Sequence, residues 1–231
     1  MSRSTLKTSA INAEIRKAQA AAAAPAVPAG KKATGKDKPA AAAPKGAGEI
    51  RIIGGAWKRT RLPVAQRPGL RPTPDRVRET LFNWLGQDLS GWRCLDAFAG
   101  TGALGFEAAS RGAASVQLVE SDAALVAQLH TLQQRLQATA MRVQRGDGVA
   151  ALKQAAPASL DLVLLDPPFD SDFFTPALQA AAQAVAADGF IYLEAPRAWA
   201  DEELAAWGLA VHRHLKAGAV HAHLLRRAVP L

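Results

Sequence analysis

The chain has 231 residues, enough for one domain with a sizeable core, and carries 28 Lys and Arg against 20 Asp and Glu for a net charge of +8. The single Cys94 excludes an internal disulfide and fits a reducing cytoplasm, and no stretch approaches the ~18 apolar residues of a membrane span. The charge is uneven: residues 1–48 carry a net +7, residues 50–78 another +7, and everything from Glu79 onward a net −5. A basic front on an acidic-to-neutral body points to a polyanionic partner on one side.

Residues 1–48 hold alanine runs, prolines and lysines, with no aromatic residue and no sustained apolar period. Such a composition cannot bury enough surface to offset ordering, so a disordered basic tail is expected, with at most a transient helix over Ser4–Ala24. Ala20–Ala24 is too short and too weakly hydrophobic for a signal peptide.

Glu49–Ile53 and Trp57–Leu62 flank Gly54-Gly55-Ala56 and read as a β-hairpin with a glycine turn. Its exposed positions are Lys58, Arg59 and Arg61, suited to phosphates, with Trp57 able either to stack on a base or to anchor the hairpin. Leu70-Arg71-Pro72-Thr73-Pro74 follows. Thr73 suits a helix N-cap and Pro74 the first helical position. Val77, Leu81, Trp84 and Leu85 then recur at helical spacing, leaving Arg76, Glu79 and Asn83 off that stripe.

From Arg93 the pattern alternates. Strands are expected over Arg93–Phe98, Ser115–Glu120, Arg142–Arg145, Leu160–Leu165, Phe190–Glu194, Ala210–Leu215 and Val220–Arg226. Helices are expected between them, including Gly102–Arg111, Asp122–Gln137, Phe174–Ala187 and Asp201–Trp207. Alternation of this kind predicts an α/β fold with a mostly parallel sheet. The last two strands are joined by four residues, too few for a crossover, and must be antiparallel. The organisation expected is a tail over 1–48, a hairpin and helix over 49–92, and a catalytic domain over 93–231.

Two stretches carry the chemistry. Gly100, Gly102 and Gly105 follow a strand and open a helix, as a tight turn that admits close backbone approach to a ligand requires. Glu120 ends the next strand 20 residues after Gly100, where it can accept from ribose hydroxyls. This fits a nicotinamide dinucleotide as well as S-adenosylmethionine. Asp96, just before the turn, favours the second: a carboxylate there repels a pyrophosphate but attracts a cationic amino-acid end. Asp147 ends the third strand and can accept from an adenine amino group, or be a plain turn aspartate.

The second stretch is Asp166-Pro167-Pro168-Phe169, closing the apolar run Leu160–Leu165. The prolines force the chain out of the sheet at the strand's carboxyl end, where open α/β sheets bind ligands. Asp166 and the Pro167 carbonyl can accept hydrogen bonds from an amino group, and Phe169 offers a flat face for a base.

With these residues the chain resembles class I methyltransferases carrying an Asp/Asn-Pro-Pro-aromatic motif, and more closely the bacterial RsmD family of 16S rRNA guanine-N2 methyltransferases. The likeness runs from Arg51-Ile52-Ile53-Gly54-Gly55 through Leu70-Arg71-Pro72-Thr73, Arg76–Leu85 and Leu95–Gly105 to Asp166–Phe169, and leaves the tail outside. It implies a Rossmann-like sheet of seven strands with the last inserted antiparallel, plus the N-terminal hairpin and helix. The implied activity is methyl transfer from S-adenosylmethionine to guanine 966 of 16S rRNA. The substrate would be presented on a small-subunit particle, to a cytoplasmic monomer without membrane attachment.

The expected catalytic residues are Asp166, Pro167 and Phe169. The expected cofactor-binding residues are Asp96, Phe98, Gly100, Thr101, Gly102, Leu104, Glu120, Ser121, Asp147, Gly148 and Asp166. The expected RNA contacts are Trp57, Lys58, Arg59, Arg61, Arg71 and Arg76. Rival acceptors are an adenine N6 or a protein glutamine, and a rival of another class is an RNA-binding assembly factor without turnover. If Ala217-Gly218 formed the turn, His212, His214, His221 and His223 would share one side of the last hairpin, but no metal is expected there.

Overall fold

The computed structural model describes residues 48–64 and 73–228. The expected tail and its transient helix, and Arg71 with its loop, therefore lie outside the described residues.

Two short strands, β1 (Glu49–Arg51) and β2 (Arg61–Pro63), pair antiparallel with Ile50 opposite Leu62. The hairpin forms, but its turn is not Gly54-Gly55. The chain reverses over Ala56–Arg59, closed by an Arg59 N–H bond to the Ile52 carbonyl at 2.8 Å. The two glycines lie instead against the end of a core helix, described below.

Helix α1 (Asp75–Leu85) buries Val77, Leu81, Phe82 and Leu85, and Gly86 closes it in the left-handed conformation that glycine adopts without cost. Pro74, not Thr73, occupies the N-cap position. Thr73 is buried and bonded through its side chain to Glu194, so its hydroxyl is not used to cap the helix.

The main sheet contains β3 (Arg93–Asp96), β4 (Ser115–Glu120), β5 (Met141–Arg145), β6 (Leu160–Leu165), β7 (Val185–Ala195), β8 (Leu209–Ala217) and β9 (Val220–Arg227). Their order across the sheet is β5-β4-β3-β6-β7-β9-β8. All neighbours are parallel except β9, which lies antiparallel between β7 and β8, so the last strand is the inserted one. Helices α2 (Ala103–Ser110), α3 (Ala123–Arg135), α4 (Gly148–Gln154), α5 (Phe174–Ala184) and α6 (Asp201–Ala205) connect the strands.

Two hydrophobic clusters sandwich the sheet. Leu162 and Leu164 point to one, Val163 and Leu165 to the other, which is why β6 reads as an unbroken apolar run. The first cluster also contains Ile50, Ile52, Leu62, Val77, Leu81 and Phe82. The hairpin and α1 thus share a core with the sheet.

Two boundaries depart from expectation. Helix α5 stops at Ala184, and β7 begins at once, with Leu160 opposite Val185 and Leu162 opposite Phe190. The extra residues form a bulge in which Gly189 is required, since a Cβ there would meet the Leu160 carbonyl at 2.9 Å. In the last hairpin Ala217 pairs with Val220, so Gly218-Ala219 is the turn. His214 then faces His223, and Lys216 faces His221. A second bulge between Val211 and Arg213 leaves His212 packed on Phe190, its ring 5.7 Å away. Three of the four histidines still gather, with His214 Nε2 and His221 Nδ1 3.0 Å apart and the His214 ring 4.7 Å from that of His223, while His212 is left out. His223 is committed internally: its Nε2 accepts from the Trp199 N–H at 3.1 Å.

Candidate functional site

The strand order reverses at β3, which continues to β4 and β5 on one side and gives way to β6 and β7 on the other. Ligands of open α/β sheets bind in the crevice such a reversal leaves at the carboxyl ends. The ends of β3 and β6 are the stretches singled out in the sequence. Asp96 pairs with Leu164, two residues before Asp166, and the Ala97 N–H continues the ladder to the Leu164 carbonyl at 3.1 Å.

The glycine turn is held by carboxylates. Gly100 and Gly102 have φ of 52° and 79°, values unfavourable for other residues. The Gly100 N–H donates to Glu120 Oε2 at 2.8 Å, and the Gly105 N–H to Asp96 Oδ2 at 3.1 Å. A Cβ on Gly105 would lie 2.1 Å from the Leu118 side chain, so the start of α2 is pressed onto the sheet.

Glu120 is half-buried and also accepts from the Asp122 N–H at 2.8 Å through its other oxygen. A carboxylate has about four lone-pair positions, so it retains capacity for ribose hydroxyls. Ser121 beside it is exposed. Asp147 is exposed, and its Oδ1 accepts from the Ala150 N–H at 2.6 Å as N-cap of α4. Gly148 is buried where a Cβ would meet the Ala97 carbonyl at 2.0 Å, which brings the β5 and β3 ends together. Phe98 is half-buried, whereas the side chains of Thr101 and Leu104 are buried. A turn walled by Glu120, Asp147 and Phe98, with glycines at each close approach, fits an adenosine-bearing cofactor.

Asp96 is 1% exposed, and burial, aided by the charges of Glu120 and Glu194, pushes its carboxyl up to about 7. Asp166 is half-buried, and desolvation followed by the Glu194 and Asp96 charges holds its carboxyl well above the usual range. Three carboxyls thus converge in a space that cannot hold three charges cheaply. Glu194, at the end of β7, is the one the motifs did not reveal. It accepts from the Tyr192 hydroxyl at 2.8 Å and is bonded to Thr73, and burial raises its carboxyl against the pull of Thr73, Tyr192 and Arg78.

Beyond Asp166 the chain offers acceptors and aromatic surface. Among the described residues no hydrogen bond uses the Pro167 carbonyl, whereas the Pro168 carbonyl accepts from the Ser171 N–H at 3.2 Å. Phe169 and Phe173 are each 38% exposed, the largest apolar side chains so presented among the described residues. The Phe173 ring lies 5.8 Å from that of Phe98, which makes an aromatic rim across the crevice.

The expected RNA-contacting residues divide. Lys58, Arg59, Arg61 and Arg76 are exposed. Arg61 is paired with Glu49 at 3.0 Å. Arg59 has a φ of 71°, a conformation costing a non-glycine residue roughly 1–2 kcal/mol. Trp57 is partly buried, edge-on to Phe106 with centroids 6.3 Å apart, and this contact anchors the hairpin.

The hairpin and α1 are fastened to α2 by a carboxylate that the motifs also missed. Glu107 is fully buried and accepts from the N–H groups of Ile53 at 2.9 Å and Gly54 at 2.8 Å. It is also paired with Arg78 at 3.3 Å and Arg111 at 2.8 Å. Arg78 is itself fully buried, so one of the eight cations in residues 50–78 serves the interior rather than a partner. The signal was a lone acid in the small, apolar helix Ala-Leu-Gly-Phe-Glu-Ala-Ala-Ser. Among the described residues no group of three His, Cys, Asp or Glu is arranged to hold a metal ion.

Residues 50–226 match the family model described as Conserved hypothetical protein 95. The chain is 50% identical over 124 residues to Ribosomal RNA small subunit methyltransferase D of Escherichia coli (strain K12), an alignment spanning 54% of this chain and 62% of that relative. The relative of the same name from Haemophilus influenzae is 45% identical over 129 residues, covering 54% of this chain and 67% of that protein. Among solved structures, the Escherichia coli protein yhhF, proposed to be a methyltransferase, superimposes with a TM-score of 0.66 at 36% identity, covering 79% of this chain and all (100%) of that one. The fold is that of the Rossmann-like class I methyltransferases.

Proposed function

The chain belongs to the Conserved hypothetical protein 95 family, that of the RsmD methyltransferases, and on that premise we propose that it transfers a methyl group from S-adenosylmethionine to the exocyclic N2 amine of a guanine in 16S rRNA. The observation that carries this reading is the convergence of Asp166 and the Pro167 carbonyl, which accepts no hydrogen bond among the described residues, with the glycine turn at one strand-order reversal. By family resemblance the target is guanine 966, in a small-subunit particle in the cytoplasm.

The guanine N2 lone pair is delocalised into the ring and is a poor nucleophile. Asp166 and the Pro167 carbonyl, accepting its two N–H bonds, favour a pyramidal nitrogen and aim the lone pair. Phe169 supports the base once it is out of any stack. S-adenosylmethionine, when bound, supplies an electrophilic methyl group on a sulfonium. The protein's contribution is positioning, together with a carboxylate facing the positive charge that develops on the amine. Glu120 suits the ribose hydroxyls, Asp147 the adenine amino group, and Asp96, through the turn it holds, the amino-acid end. Lys58, Arg59, Arg61 and Arg76 suit RNA phosphates, which fix orientation without reading sequence.

The test is methyl transfer from labelled S-adenosylmethionine to naked 16S rRNA and to small subunits, followed by nucleoside analysis. N2-methylguanosine at one position is expected. Label in N6-methyladenosine, or only in ribosomal protein, would replace the acceptor, and cofactor binding without transfer to any of these would leave an RNA-binding assembly factor.

A further inference from the structure

An open polar cavity of about 440 Å³ lies between the hairpin loop and α1, lined in part by Gly54, Gly55, Lys58, Glu79, Asn83 and Arg111. It is distinct from the crevice at the strand ends. Gly54 and Gly55 rest on the C-terminal end of α2, where Cβ atoms would meet the Arg111 guanidinium at 2.4 Å and the Ser110 carbonyl at 1.8 Å. The cofactor turn lies at the other end of that eight-residue helix, about 12 Å away.

The polarity of its wall is set by a chain of hydrogen bonds. A guanidinium can only donate. Arg111 donates to the Oε1 of Gln87, which leaves the Gln87 amide nitrogen to donate to the Oδ1 of Asn83. Among the described residues the Asn83 amide nitrogen then meets no acceptor and is the donor left at the end of the chain. Glu79, one turn earlier on the same helix face, is acceptor-only, and Lys58 opposite is donor-only; both are exposed. A carboxylate in the wall repels a bare phosphate, and the polar lining excludes an apolar ligand.

Carboxylate, amide donor and ammonium together match one nucleobase edge best. Guanine presents N1–H and N2–H side by side, which the two Glu79 oxygens can accept, next to an O6 that Asn83 can donate to. Lys58 suits the nucleotide's phosphate. Adenine and cytosine offer only their amino group beside a ring acceptor, and uracil a single N–H between two carbonyls. We propose that this cavity binds an unpaired guanine nucleotide of the RNA, other than the one that is methylated. The proposal rests on the RNA reading above.

The test is titration of the full ¹⁵N-labelled chain with GMP, AMP, CMP and UMP, followed by amide chemical shifts, and repeated with Glu79→Gln and Asp166→Ala. Glu79 is exposed, so the fold should survive Glu79→Gln, and the dispersion of the amide spectrum reports directly whether Asp166→Ala stays folded. GMP should shift Gly54, Gly55, Lys58 and Asn83 in the wild type and in Asp166→Ala alike. Its affinity should fall about tenfold in Glu79→Gln, as for loss of one bidentate base contact, and the other three nucleotides should bind more weakly. Shifts confined to the neighbourhood of Asp166, equal affinity for all four nucleotides, or undiminished binding by Glu79→Gln would each overturn the assignment. If GMP binds here but no rRNA is methylated, the cavity stands and the methylation reading fails. If rRNA is methylated but Gly54 and Gly55 never respond, the reverse holds.

Discussion

The Tyr192 hydroxyl donates to Glu194 Oε1 at 2.8 Å, and this buried pair stands beside the Asp166 carboxyl. Asp166 must be ionised to face the positive charge that develops on the amine, so turnover should rise with pH through its pKa. Desolvation and the Glu194 charge both hold that pKa up. Glu194→Gln removes the charge while keeping an acceptor for Tyr192. The acid limb of the kcat/KM profile should therefore move to lower pH. A purely structural role would lower the rate at every pH and leave the limb in place.

Asp96 predicts a pH dependence of a different quantity. Burial pushes its carboxyl up to about 7, and a cationic amino group brought to the turn favours the ionised form. Binding then releases a proton below pH 7, and S-adenosylmethionine affinity should increase from pH 6 to pH 8. Calorimetry in buffers of different ionisation enthalpy measures the release directly. Asp96→Asn should abolish the pH dependence; a slope unchanged by that substitution would assign the proton elsewhere.

Glu107 carries the attachment of the hairpin and α1. Glu107→Ala takes the buried carboxylate from two guanidinium groups and two backbone N–H donors, leaving, among the described residues, Arg78 only Asp75 and the Thr73 carbonyl and Arg111 only Gln87. Removing one partner of a buried ion pair costs about 3–5 kcal/mol. For a domain of this size that lowers the Tm by roughly 6–20 °C. Thermal unfolding followed by circular dichroism checks this, and a fall of only a degree or two would mean the network contributes little.

What could be read in the sequence follows from which signals are local. The strand ends were legible because apolar runs stop at Asp96, Glu120 and Asp166, and the glycine turn has its own spacing. The inserted last strand came from the resemblance, supported by a connection too short to cross over. Arg78, Glu107 and Glu194 were hidden because a charge reads as surface unless its partner is known. Their partners are 29 residues apart in the case of Arg78 and Glu107, a separation no period reveals. The Gly54-Gly55 pair read as a hairpin turn for the same reason: the Ser110 carbonyl that requires a glycine at position 55 is distant in sequence.

The two central assignments separate binding from chemistry. Asp166→Ala should leave cofactor affinity nearly intact and lower kcat by ~10²-fold or more, as for loss of a transition-state hydrogen-bond partner. Glu120→Ala should weaken cofactor binding, because the ribose hydroxyls lose an acceptor and Gly100 loses the carboxylate that orients it. Calorimetry and single-turnover methylation distinguish the two. Equal affinity loss in both variants would mean that Asp166 belongs to the cofactor rather than to the amine.

The basic front offers the last comparison. Residues 1–48 and 50–78 carry equal net charge, yet Arg59 and Arg61 stand on a hairpin fixed to the core through Trp57 and Glu107. Cations at fixed positions can contact particular phosphates, whereas charge alone supplies screened attraction. Arg61 must also exchange Glu49 for a phosphate, while Arg59 has no such competitor among the described residues. Arg59→Ala should therefore reduce kcat/KM for RNA more than Arg61→Ala, with saturating cofactor in both cases. Each lost contact should flatten the dependence of log affinity on log salt by about one unit. Deleting residues 1–48 should weaken binding mainly at low salt and leave the methylated position unchanged. If the deletion abolished methylation while a variant carrying both Arg59→Ala and Arg61→Ala behaved as wild type, docking would lie in the N-terminal segment, and the hairpin would be only a structural attachment.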